Sequence, residues 1–171
     1  MPAKVLMDVE EYLHTSFEHS DCEYLDGEIV ERNTGELLHA GLQMHIGHLL
    51  MGLARKLGIR VFSEIRIQIN PRRYRVADIG VWRADDDIGD RIPTKPPFLA
   101  IEILSPEDRI VRMQPKIQEY LAIGVAWVWL IDPYEKRAIT YSPADPGGSL
   151  CEVLRTDNPA IEIALEALFQ N

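Results

Sequence analysis

Between Leu37 and Leu57, apolar residues recur at Leu42, Ile46, Leu49, Leu50, Leu53 and Leu57. That spacing of threes and fours predicts a helix, and Gly58 supplies its stop. A shorter amphipathic helix is predicted over VLMDVEEYLHTS, with Val9, Tyr12 and Leu13 on its apolar side and Asp8 as N-cap. CEYLDGEIVE follows, and its Asp26-Gly27 between two short β-prone runs predicts a hairpin. RVFSEIRIQIN alternates polar and apolar residues, PRRYR reads as a turn, and VADIGVW returns as a second strand. RADDDIGDRIPTKPP has the composition of a mobile surface loop.

FLAIEIL and AWVWLID are apolar on both faces, as strands covered on both sides are. Residues 109–124 between them predict a helix with Ile110, Met113, Ile117 and Leu121 on one side and Gly124 as stop. Pro115 predicts either a kink there or a start at that residue. RAITYS and CEVLR are shorter strands, and LEALF closes the chain. This order predicts one domain over 1–171, a mixed sheet flanked by helices, α/β or α+β in class.

Two acids break the apolar pattern. Glu102 stands in the middle of FLAIEIL, and Asp78 interrupts VADIGVW. A carboxylate in a covered strand loses its hydration and needs a cation or donors in exchange. Small residues two positions away, Gly80 and Ala100, leave room beside each acid. If the two strands are neighbours, the acids converge on one hard cation such as Mg²⁺; the alternative is an arginine or backbone amides for each. Lys116 sits early in the helix that follows the Glu102 strand, where it could orient a water or neutralise a phosphate. Its alternative is a solvated helix lysine.

Composition narrows the class. Cys22 and Cys151 show no metal-type spacing and fit a reducing compartment. The N-terminal segment is acidic by position 8, and no apolar run reaches membrane-spanning length, so a soluble cytoplasmic protein is expected. The net charge of -9 is unevenly placed. Residues 55–83 carry eight Arg and Lys against Glu64 and Asp78, so Arg66, Arg72, Arg73 and Arg75 are candidates for phosphate contact. His39, His45 and His48 lack a metal-protease spacing and read as polar positions of an amphipathic helix. No Gly-rich phosphate loop and no G-x-S-x-G elbow is present, which leaves nucleotide-dependent transfer and serine hydrolysis without support.

CEYLDGEIVE, His39 opening a helix, RVADIGVW, FLAIEILSPEDR, KIQEYLAIGVAWVWLIDP and the closing LEALF together resemble the Uma-two family of restriction endonucleases, within the PD-(D/E)XK nuclease superfamily. The resemblance runs along nearly the whole chain in order. It implies a restriction-endonuclease-like mixed sheet between helices. It also implies a metal-dependent endonuclease acting on nucleic acid, DNA foremost, often as a homodimer. Asp78, Glu102 and the Ile103 carbonyl would bind Mg²⁺ or Mn²⁺, with Lys116 and Glu23 completing the catalytic set.

Three departures accompany the resemblance. Leu104 stands where the superfamily has its lysine, so the role would move to Lys116. Ala77 replaces the proline of Pro-Asp. Arg112 replaces an acid found one turn before the helix lysine in many members. A non-catalytic module that binds nucleic acid or protein on the same fold is the alternative function.

Overall fold

The computed structural model describes residues 6–18, 21–32, 36–106 and 110–170, without the side chains at 111 and 112. Asp8 accepts the Glu10 amide at 2.9 Å and starts α1 (Val9–His14). Asp26 and Gly27 both take left-handed backbone angles, φ 55° and 101°, and close β1 (Glu23–Leu25) onto β2 (Glu28–Val30). Tyr12 of α1, Tyr24 of β1 and Tyr74 pack as one aromatic cluster that fixes this N-terminal unit to the sheet. α2 (Leu37–Leu57) has the predicted bounds and ends at Gly58 with φ 62°.

β3 (Ile59–Asn70) and β4 (Arg73–Arg83) form a long antiparallel pair. The turn between them is tighter than PRRYR suggests, because Arg73 and Tyr74 already pair with Leu25 and Tyr24 of β1. The segment predicted as a mobile loop is tied down. Ile88 is buried, and the Trp82 indole donates to the Lys95 carbonyl at 2.7 Å.

β5 (Leu99–Ile103), α3 (Ile110–Ala122) and β6 (Trp127–Asp132) form a parallel strand–helix–strand unit. α3 runs through Pro115 and does not begin there; the proline removes a single amide donor from its early turns. β7 (Arg137–Ser142) and β8 (Asp145–Cys151) follow, then the separate pair β9 (Val153–Asp157) and β10 (Ala160–Ala164), and α4 (Leu165–Leu168). β8 and β10 were not anticipated. Pro146, Gly147 and Gly148 look like a turn, but at a sheet edge a proline forfeits no ladder bond.

The main sheet runs β2-β1-β4-β5-β6-β7-β8, with β3 also on β4. One face packs under α2 through Leu42, Ile46, Leu50, Ile101 and Trp129. The other packs under α3 through Ala100, Leu104, Ile117, Tyr120 and Leu130. β3 covers one edge of β4 along its length, so β1 and β5 must share the other edge. β1 takes Arg73 and Tyr74, and β5 takes Ile79 to Val81. The gap between them, residues 75–78, is where the buried charges gather. No helix among the described residues is long and apolar enough to cross a membrane.

Candidate active site

In that gap, side chains replace the missing ladder. Val76 donates its amide to Glu23 Oε1 at 3.2 Å and accepts Lys116 Nζ on its carbonyl at 2.8 Å. Lys116 Nζ also lies 2.9 Å from Glu102 Oε2 and 2.9 Å from Glu23 Oε1. Tyr120, one helical turn after Lys116, donates to Glu102 Oε1 at 2.8 Å. Both oxygens of Glu102 are thus satisfied by one face of α3.

Asp78 stands one step beyond the Ile79–Ile101 pair, and continuing that register sets it against Glu102. Its Oδ2 accepts the Ile103 amide at 2.7 Å and lies 3.3 Å from His39 Nε2. Its Oδ1 receives Arg32, which also binds Glu64. Gln43 donates to the Asp78 carbonyl and to Glu64 Oε1, both at 2.9 Å. Of these groups Glu23, Arg32, His39, Asp78, Glu102, Ile103 and Lys116 line, with Arg75, Glu31, Ser105 and Met113, a cleft of about 240 Å³.

The charges are strongly coupled. Burial alone would raise the Glu23 carboxyl, but Lys116 and Arg75 outweigh it and hold the group at about 2. For Glu102 burial wins and the group rises to about 7: Lys116 draws it down, but that lysine is shared with Glu23, and Asp78 adds repulsion. Burial opposes the charged form of Asp78 too, yet His39 and Arg32 leave it below the usual carboxylate range. Desolvation works against the Lys116 cation, but Glu102 and Glu23 more than compensate and it stays protonated. The hydrogen bond to Asp78 likewise raises His39 against the effect of burial.

The structure therefore brings Asp78, Glu102, Ile103, Lys116 and Glu23 into one cleft, all from positions singled out in the sequence. The space beside the acids has a different fate from the one expected: a Cβ on Gly80 would meet the Trp82 ring at 2.7 Å, so packing fills that room.

The arginine patch is not a free basic surface either. Arg66 binds Asp21 and the Tyr12 and Thr15 carbonyls and stacks over the Tyr12 ring. Arg73 binds Asp26 and Glu119, and Arg75 binds Glu119 and Glu23. Arg72 is exposed, its guanidinium 3.5 Å from the Asp26 carbonyl, and of the four arginines Arg75 lines the cleft. The Arg112 side chain lies outside the described residues.

Tyr120 and Arg32 were not singled out, and His39, read as a polar position of an amphipathic helix, is instead buried against Asp78. His39 lies on the buried side of α2 with Leu42 and Ile46, a placement its i, i+3, i+7 spacing already contained. Tyr120 falls at i+4 from Lys116, also a legible relation. Arg32 precedes α2 outside any periodic element and carried no signal.

As a donor set, two opposed carboxylates and a neighbouring carbonyl suit a hard divalent cation that keeps most of its shell as water. Among the described residues no three His, Cys, Asp or Glu side chains are grouped to hold a metal by themselves. The site fits Mg²⁺ or Mn²⁺ with substrate and water oxygens, and does not fit a closed soft-metal cage.

A family model described as "Putative restriction endonuclease" matches residues 9–170. Among solved structures, the crystal structure of a "putative nuclease belonging to DUF820" from Anabaena variabilis superposes with a TM-score of 0.83. It is 22% identical and covers 95% of this chain and 97% of that one, a likeness of fold. A cryo-EM structure of a DrdV–DNA complex aligns 72% of this chain with 10% of that one, at 13% identity and a TM-score of 0.42. Among curated proteins no significant match is found.

Proposed function

The chain belongs to the Uma-two family, and from that premise we propose that it is a metal-dependent nuclease that hydrolyses phosphodiester bonds, with DNA as its substrate. One observation carries the reading: Asp78 and Glu102 oppose each other across neighbouring strands while Lys116 reaches Glu102 at 2.9 Å in the same cleft. Nothing in packing alone calls for two acids and a lysine in the interior of a sheet.

Asp78, Glu102 and the Ile103 carbonyl would hold Mg²⁺ or Mn²⁺. Such an ion supplies a more acidic water and neutralises charge growing on the phosphate. Lys116, kept cationic by Glu102 and Glu23, would orient the attacking water or meet a phosphate oxygen by releasing one of the three acceptors it holds, the Val76 carbonyl, Glu102 or Glu23. Glu23, held at about 2, is too weak a base to take a proton near neutrality, so it serves as the fixed counter-charge of Lys116. Tyr120 fixes the Glu102 carboxylate by its other oxygen. Arg72 and Arg75 remain the candidates for phosphate contact, one exposed and one in the cleft wall.

The test is incubation of the protein with plasmid, single-stranded DNA and RNA in Mg²⁺, in Mn²⁺ and with chelator. Wild type should cut DNA only when a metal is supplied, and Asp78→Ala should not cut. Intact substrates in both metals would sink the proposal. One observation favours a second reading, binding without cleavage: Arg32 already neutralises Asp78, on the carboxylate a metal would use. Protection of DNA without cutting is its signature.

A further inference from the structure

The water-facing side of α2 is the opposite of what a charged protein usually shows. All eighteen residues from Leu37 to Ala54 lack Asp, Glu, Lys and Arg, in a chain of net charge -9. Leu37 is 93% exposed, Met44 76% and Met51 59%. At roughly 100° per residue, Leu37, Ala40, Gly41, Met44, Gly47, His48 and Met51 all fall within about 60° of Met44, a stripe as long as the helix. The face turned inward, with His39, Leu42, Ile46 and Leu50, lies opposite. Gly41, Gly47 and Gly52 have open space where a Cβ would go, so no contact among the described residues requires them, although glycine weakens a helix interior.

We infer that this stripe is a self-association surface, and that its occupant is α2 of a second copy lying antiparallel across it. A twofold interface must match itself, and this one does so about Met44. An axis there sets Met44 on the partner's Met44, Leu37 against the partner's Met51, and Gly41 against the partner's Gly47, where the missing side chains let the backbones approach.

The charges that bound the stripe also fit. Glu36 lies just before α2, and Arg55 and Lys56 close its last turn. The antiparallel pairing brings the partner's Arg55 within about one turn of Glu36, once at each end. The net negative charge of the chain as a whole repels a second copy, and this strip carries none of that charge. A groove lined by Leu38, His45, Lys136, Leu168 and Phe169 flanks the Leu37 end and extends the contact. A helix face about 30 Å long is small beside a permanent interface, so the dimer is a reversible one.

The inference does not depend on cleavage, and its failure is distinguishable from that of the nuclease reading because it is read by mass. Sedimentation velocity of the full chain, from micromolar to several hundred micromolar, should show a monomer–dimer equilibrium. Met44→Glu opposes two carboxylates on the axis and should weaken the dimer at least about tenfold. Its circular dichroism should stay unchanged, since the side chain is exposed.

Gly41→Ala with Gly47→Ala should raise the melting temperature of the dilute monomer while weakening the dimer, opposite signs that a merely structural role cannot give. Met44→Cys should cross-link under mild oxidation, and Leu150→Cys, exposed elsewhere, should not. A wild type that stays monomeric throughout, or a dimer unaffected by Met44→Glu, overturns the inference.

Discussion

Glu102 is raised from 4.5 to about 7 chiefly because it is buried, and that displacement has a measurable consequence. A carboxyl whose folded value lies above its unfolded one binds its proton more tightly in the native state. Its contribution is therefore complete below pH 4.5 and is lost as the pH climbs through 7. The displacement corresponds to about 3 kcal/mol. For a chain of this size that is about 6–12 °C of melting temperature.

Glu102→Gln removes the titration while leaving an amide oxygen for Lys116 or Tyr120. His39 and Glu23 titrate in both proteins, so they cancel when the two are compared. Thermal melts in chelator from pH 4.5 to 7.5 should show wild type losing stability relative to Glu102→Gln by about that amount. Adding Mg²⁺ should recover much of the loss at the upper end, because a cation stabilises the ionised form. Parallel curves for the two proteins across the window would refute the argument, since burial would then not be acting on Glu102.

Lys116→Ala should reduce cleavage by at least about a hundredfold while keeping a metal-induced rise in melting temperature, with Lys116→Arg a partial rescue; cleavage at the wild-type rate would remove the lysine from the mechanism. Arg66→Ala should destabilise the protein by about 2–4 kcal/mol, since it leaves Asp21 and two carbonyls without their donor, and should not alter the salt dependence of DNA binding. Arg72→Ala should do the reverse, lowering the salt slope by about one with little effect on stability; binding titrations at several salt concentrations separate the two. Gly80→Ala should cost about 1–3 kcal/mol by overpacking against Trp82 and Ile65, and a denaturation midpoint equal to wild type would contradict that packing. Ile117→Ala, next to Lys116 in the α3-side core, should cost cleavage more than Leu154→Ala, a buried control in the other core, when both are assayed well below their melting points.

How far the sequence carried depended on whether a signal was local. The bounds of α2 were legible because its apolar spacing and the left-handed residue that ends it are adjacent in the chain. The Asp26-Gly27 hairpin was legible for the same reason. Asp78 and Glu102 stood out because a charge in a doubly apolar run is anomalous wherever the strand lies. β8 was hidden because Pro146, Gly147 and Gly148 mean a turn in most settings, and only its place at the sheet edge makes a strand of them. The basic segment misled for a related reason. Its partners Asp21, Asp26, Glu23 and Glu119 lie some 44 to 52 residues away, and nothing local announces a salt bridge over such a distance. The fate of Gly80 turned on the ring orientation of Trp82, which a pattern of residue types does not contain.

The position of the lysine follows from the same geometry. Leu104, two residues after Glu102, is buried in the apolar cluster under α3 with Ile117 and Tyr120. A lysine at 104 would have to carry its charge among those side chains. Lys116 enters from the helix above and finds Val76, Glu102 and Glu23 within 3 Å, one carbonyl and two carboxylates for its three N–H donors. That arrangement exists only because β1 leaves β4 after Tyr74, so that Glu23 turns into the gap before β5 begins. The hairpin set by Asp26-Gly27 is thus part of the site's construction: it ends the strand that carries Glu23 and fixes the register that points it at Lys116. A charge in the interior of the sheet is tolerated because the break in the β4 edge supplies polar backbone as well as acids, and covering that edge with a longer β1 would take the Val76 carbonyl from Lys116.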